Sequence, residues 1–136
     1  MVKKNGDSVI GIGNVNLDNI RHLGTHLLID IDVADSEKLN DLKYVESMMR
    51  KAAIDAGASI IDVSTRKFEP QGVTVVIAVS ESHLSIHTWP EHSYASVDIF
   101  FCGDRVSLEI AVKVILDGLG TVSYRLAKVL RGPVQT

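Results

Sequence analysis

Three neighbouring stretches decide the fold: Val73-Thr74-Val75-Val76-Ile77-Ala78-Val79, His83-Leu84-Ser85-Ile86-His87-Thr88 and Tyr94-Ala95-Ser96-Val97-Asp98-Ile99-Phe100-Phe101. The first is dominated by apolar β-branched residues, the pattern of a strand buried in a sheet. The second alternates, with Leu84 and Ile86 pointing one way and His83, Ser85 and His87 the other. The third sets Val97, Ile99 and Phe101 against Ser96, Asp98 and Phe100. Short turns separate the three, which predicts neighbouring strands with one packed face and one open face.

Working outward, His26 to Val33 reads as another strand, and Asp35-Ser36 as a helix N-cap. Leu39, Leu42, Val45, Met49, Ala52 and Ala56 then recur at three- and four-residue steps, one apolar stripe of a helix closed by Gly57. Ser59 to Phe68 is a strand and Pro70-Gln71-Gly72 a turn. Leu108, Ala111, Val112, Ile115 and Leu119 form a second helical stripe, ended by Gly118 and Gly120, and Thr121 to Leu130 returns as the last strand. Strands outnumber helices and several adjoin through short turns. The expected architecture is an α+β two-layer sandwich, an antiparallel sheet with two helices packed on one face. The other face is left for a site or a partner. Residues 1–21, rich in Gly, Asn and Asp, are expected to form an extended or flexible N-terminal arm, and residues 22–136 a single domain. Gly11-Ile12-Gly13-Asn14 opens like a dinucleotide loop but lacks the strand-glycine-helix context that such a loop needs.

Composition excludes several function classes. The chain has 136 residues, 46% of them hydrophobic and 23% charged, as expected of one globular domain. A net charge of -3 supplies no basic face for nucleic acid. No apolar run approaches the roughly 18 residues of a membrane span, and no signal-peptide core is visible. One cysteine, Cys102, forms no internal disulfide, which favours a reducing cytoplasm.

The chemistry concentrates between Ser82 and Cys102. His83 and His87 have the spacing of a zinc pair on a helix, but on a strand they stand about 13 Å apart, so no metal is expected. Taken singly, Cys102 reads as a small buried hydrophobe, Ser82 as a turn residue, and Trp89-Pro90 as a core aromatic before a strand terminator.

Together they read otherwise. Glu81-Ser82-His83-Leu84-Ser85-Ile86-His87-Thr88-Trp89-Pro90-Glu91, then Tyr94-Ala95, Asp98 and Cys102-Gly103, resembles the small prokaryotic S-adenosylmethionine decarboxylases, pyruvoyl-dependent enzymes of polyamine synthesis. The resemblance extends from Gly24-Thr25-His26 to Arg131-Gly132. It implies a proenzyme that cuts itself between Glu81 and Ser82 into 1–81 (the β chain) and 82–136 (the α chain). The Ser82 hydroxyl attacks the Glu81 carbonyl, and elimination leaves a pyruvoyl group at Ser82 as the cofactor. His87 matches the acid/base of processing, and Thr74 stands where many relatives carry an assisting serine. In turnover the pyruvoyl ketone forms a Schiff base with the substrate amine and takes up the electrons left by carbon dioxide. Cys102 matches the donor that returns a proton to the substrate α-carbon. Phe68 matches the aromatic that stacks on adenine, and Glu91 is the candidate for the ribose hydroxyls.

Ser82 and His87 are five residues apart, so a straight strand turns them to opposite faces. A sharp, strained bend around Ser80 to His83 is therefore expected. The favoured substrate is S-adenosylmethionine, giving the aminopropyl donor for spermidine. Thr25, where many relatives have arginine, and Val75, where many have glycine, keep arginine (to agmatine) and ornithine (to putrescine) as alternatives. In those cases Asp98 or Glu69 offers a carboxylate to the distal cation. A non-enzymatic, processing-dead regulatory homologue is the other alternative, against which stand Ser82, His87 and Cys102 together. Family members pair with sites near the interface, which predicts a homodimer.

Overall fold

A computed structural model of the chain describes residues 3–10 and 20–135, with side chains from 21 to 134. The elements run β1 (Lys3–Ile10), β2 (Ile20–Val33), α1 (Leu42–Asp55), β3 (Ile60–Lys67), β4 (Val73–Val79), β5 (Ser82–Trp89), β6 (Tyr94–Cys102), α2 (Leu108–Gly118) and β7 (Thr121–Gln135). The strands form one sheet in the order β1-β7-β2-β6-β5-β4-β3. All neighbours are antiparallel except β1 and β7, which are parallel. This is the expected α+β sandwich with an added edge strand. That strand comes from the segment expected to be an arm, while Gly11 to Asn14 lie outside the described residues.

The sheet is two-faced because its strands alternate. Leu27, Ile29 and Ile31 of β2, Val73, Val75, Ile77 and Val79 of β4, Leu84 and Ile86 of β5, and Val97, Ile99 and Phe101 of β6 are all buried on the helical side. There they meet Val45, Met49 and Ala52 of α1 and Ala111 and Ile115 of α2. Each fully buried aliphatic side chain contributes roughly 1.5–3 kcal/mol by leaving water.

One helix boundary differs from the sequence reading. The N-cap of α1 is Asp41, whose carboxylate accepts from the Tyr44 N–H at 3.1 Å, and not Asp35-Ser36. Asp35 instead accepts from the Glu37 N–H at 2.9 Å and starts a short 3-10 turn, Lys38–Asn40, that buries Leu39. Both segments carry cap-forming side chains, and burial of Leu39 decides between them. Gly118 is the last residue of α2, as the sequence predicts, and a Cβ there would lie 2.7 Å from the Met48 sulfur. The glycine lets α1 and α2 approach, and its carbonyl accepts from the Tyr44 hydroxyl at 2.5 Å. Gly120, with φ of +61°, takes the left-handed position just after the helix.

Candidate active site

The side chains that alternate away from the core share the sheet's open face. β5 sends His83, Ser85, His87 and Trp89 there, and β6 sends Tyr94, Ser96, Asp98, Phe100 and Cys102. Register aligns them across strands. His26 of β2 and His83 of β5 both lie opposite Phe100 of β6, while Thr74 of β4 lies opposite His87.

Two groups result, one toward each end of the face. The first surrounds Ser82. Ser80 and Glu81 make the tight turn between β4 and β5, and Val79 pairs with Ser82 directly after it. Ser82 holds φ at 135°, a region that a residue with a Cβ enters only at a cost of about 1–3 kcal/mol. The sharp bend expected before β5 is therefore present, and its strain sits on Ser82. The Glu81 carbonyl accepts from the Cys102 backbone N–H at 2.8 Å, which polarises that carbonyl toward attack. The Glu81 carboxylate accepts from the Ser59 N–H at 3.1 Å and anchors the turn to the start of β3. The Ser82 hydroxyl lies 3.3 Å from Nδ1 of His83.

Cys102 lies opposite Gly24 of β2. A Cβ at Gly24 would come within 3.1 Å of the Cys102 sulfur and 2.9 Å of the Phe100 ring, so the glycine makes room for both. Phe100 is the centre of this end. His83 stacks on it with ring centroids 5.8 Å apart, His26 meets it edge-on at 5.1 Å, and the Arg131 guanidinium lies 5.2 Å from its centroid.

The second group surrounds His87. Thr74 hydrogen-bonds its Nδ1, Trp89 lies edge-on with centroids 4.1 Å apart, and Phe68 does so at 5.4 Å. Phe68 is placed by the hairpin turn, where its N–H donates to the Gly72 carbonyl at 2.8 Å. It is partly exposed. Tyr94, beside Trp89, donates to Asp30, and its phenol is pushed up to about 12 by burial first and by the Asp30 carboxylate second. Glu91 is exposed in the 3-10 turn Pro90–His92 at this end of the sheet.

Within one chain these groups do not meet. Five residues of β5 separate Ser82 from His87, about 16 Å at strand rise. The structure thus joins Ser82, Glu81 and Cys102 at one end and Thr74, His87 and Phe68 at the other. Sequence reasoning placed His26 only within the span of resemblance and gave Asp98 no role near Ser82. Their alternation on β2 and β6 showed that they point off the core. Only the register showed that they converge on His83.

A sequence model of the S-adenosylmethionine decarboxylase family matches residues 25–132. The chain belongs to that family. Among relatives, an S-adenosylmethionine decarboxylase proenzyme of Moorella thermoacetica is 44% identical over 116 residues, 85% of this chain and 93% of the relative. A second, S-adenosylmethionine decarboxylase proenzyme 1 of Bacillus cereus, is 40% identical over 116 residues, covering 85% and 89%. The crystal structure of the adenosylmethionine decarboxylase from Aquifex aeolicus superimposes with a TM-score of 0.80 at 32% identity, over 85% of this chain and 95% of that one. Family membership and the decarboxylase architecture therefore stand on sequence and fold together.

Proposed function

We propose that this chain is a self-processing, pyruvoyl-dependent decarboxylase of S-adenosylmethionine. The observation that carries the reading is the hairpin at Glu81 and Ser82, where a strained serine adjoins a carbonyl already hydrogen-bonded by the Cys102 N–H at 2.8 Å. Attack of the Ser82 oxygen on that carbonyl exchanges an amide for an ester and releases the strain. Removal of the Ser82 Cα proton then expels residues 1–81 as a carboxylate and leaves dehydroalanine, whose imine tautomer water hydrolyses to a pyruvoyl group with release of ammonia. The surroundings of Ser82 suit what remains: the position is partly buried, and Cys102 adjoins it through its bond to the Glu81 carbonyl.

A pyruvoyl group at Ser82 supplies the electron sink that loss of carbon dioxide from an α-amino acid requires. Cys102 holds the proton that the substrate carbon needs afterwards. Phe68 and Trp89 offer aromatic faces to the adenine and to a sulfonium. Asp98, one of the two carboxylates, with Glu69, that an arginine or ornithine pocket could use, is taken by His26 at 3.0 Å and by the Ser85 hydroxyl. That occupation favours the sulfonium substrate.

The two half-sites complete each other in a homodimer, where His87, Thr74 and Phe68 of one copy reach Ser82 and Cys102 of the second. His87 then takes the Cα proton during elimination. No helix among the described residues is long and apolar enough to cross a membrane. The single cysteine suits a reducing compartment, and on that ground we place the enzyme in the cytoplasm.

Mass spectrometry of the purified chain tests the processing. Two fragments meeting at Glu81/Ser82 are expected from wild type, and one intact chain from Ser82→Ala. Processed protein should release carbon dioxide from S-adenosylmethionine and none from arginine or ornithine. Release from arginine alone would overturn the substrate assignment.

A further inference from the structure

Between Ser82 and Arg131 the open face carries a continuous chain of polar contacts. The Ser82 hydroxyl faces Nδ1 of His83 at 3.3 Å, and Nε2 of His83 faces Oδ1 of Asp98 at 3.5 Å. Nε2 of His26 lies 3.0 Å from the same Asp98 oxygen, and Ser85 donates to the other. Nη1 of Arg131 lies 3.0 Å from Nδ1 of His26. Resting on the self-processing reading above, we propose that His83 is the base and acid of the first step of self-cleavage, with Asp98 as its positioning residue. His87 is left to the later elimination.

Hydrogen-bond roles decide the tautomers. A guanidinium only donates, so Arg131 makes Nδ1 of His26 an acceptor and puts that ring's proton on Nε2, facing Asp98. The three atoms His26 Nε2, His83 Nε2 and Asp98 Oδ1 lie within 4.8 Å of one another, close enough to hold a metal ion. A protonated His26 Nε2 offers no lone pair to a metal, which favours the chain of polar contacts. Asp98 likewise draws the His83 proton to Nε2, leaving the Nδ1 lone pair toward the Ser82 hydroxyl. This is the serine-imidazole-carboxylate order that activates hydroxyl nucleophiles elsewhere.

The step balances without a co-reactant. Nδ1 of His83 takes the Ser82 Oγ proton as Oγ bonds to the Glu81 carbonyl carbon. The imidazolium faces Asp98, then gives that proton to the Ser82 nitrogen as the carbon-nitrogen bond breaks. The products are an ester between Glu81 and Ser82 and a free amine. His87 in the same chain lies about 16 Å along β5, too far for this transfer.

The test follows cleavage of purified full-length chains over time, beside wild type. His83→Ala and His83→Gln should cut about 100-fold or more slowly, with unchanged thermal unfolding. Added imidazole should restore cutting of His83→Ala, where the ring leaves a space, and not of His83→Gln. Asp98→Asn should slow wild type but add nothing in the His83→Ala background, as expected of a residue acting through His83. His83→Ala cutting within threefold of wild type, or slow cutting that imidazole does not restore, would overturn the proposal. Failure of wild type itself to cut overturns self-processing as a whole, so the two failures are told apart by the control.

Discussion

At the scale of single residues, the proposed function asks the same strand end to serve two reactions at one position. Cys102 contributes its backbone to the first and its thiol to the second. Its N–H holds the Glu81 carbonyl, and its sulfur lies beside the hole left by Gly24. Cys102→Ala keeps the N–H and removes only the thiol. The variant should therefore still cut between Glu81 and Ser82, but lose most of its turnover, by about 100-fold if proton delivery limits the rate. Without that donor, protonation falls on the keto carbon of residue 82, converting it to an amine. Sequencing of the downstream fragment should show alanine at its N-terminus, growing with the number of turnovers. A blocked N-terminus throughout would mean that another group supplies the proton. Phe100 stands beside Cys102 on β6, flanked by two imidazoles and a guanidinium.

At the scale of elements, the hairpin of β4 and β5 is tied to the helical layer by one buried polar side chain. Thr88 is 1% exposed; its hydroxyl donates to the Leu39 carbonyl at 2.6 Å and accepts from the Val73 N–H at 2.9 Å. Thr88→Val keeps the shape and leaves both backbone groups buried without a partner. A loss of about 2–3 kcal/mol is expected, measured by urea unfolding in the Ser82→Ala chain so that a single uncut species is compared. Loss below about 0.5 kcal/mol would show that water or a shift of Leu39 replaces the hydroxyl.

The strands of this region were legible because Leu84, Ile86, Val97 and Ile99 alternate so regularly with polar residues, and a strand has only two faces to choose between. Family motifs then made Ser82, His87 and Cys102 legible as a set. The start of α1 was not, since Asp35, Ser36 and Asp41 all offer capping oxygens and only tertiary burial of Leu39 selects Asp41. Nor was β1, whose Gly- and Asn-containing sequence lacks a period and whose partner, β7, lies at the opposite end of the chain. The convergence of His26, His83 and Asp98 depends on which residue faces which across β2, β6 and β5. Alternation gives the face of each side chain but not its rung on the sheet.

At the scale of the whole molecule, one protomer holds both halves of the chemistry and cannot bring them together. A strand is stiff, and no rotamer change spans the roughly 16 Å from Ser82 to His87. In the homodimer proposed above the open sheet face meets a second copy, and two-fold symmetry builds two identical sites from four half-sites. This arrangement predicts complementation. Ser82→Ala lacks the nucleophile and His87→Ala lacks the elimination base, so each variant made alone should fail to yield the two final fragments. Co-expressed with different affinity tags, they form mixed dimers in which Ser82 of the His87→Ala chain faces His87 of the Ser82→Ala chain. One site in each mixed dimer is then intact, and the tag of the His87→Ala chain alone should appear on a cut product. Up to half of the His87→Ala chains, the share expected in mixed dimers from equal random pairing, should process. If no fragment forms although mixed dimers are recovered through both tags, each site is assembled within one chain. β5 would then have to break near Ser85 for Ser82 and His87 to approach.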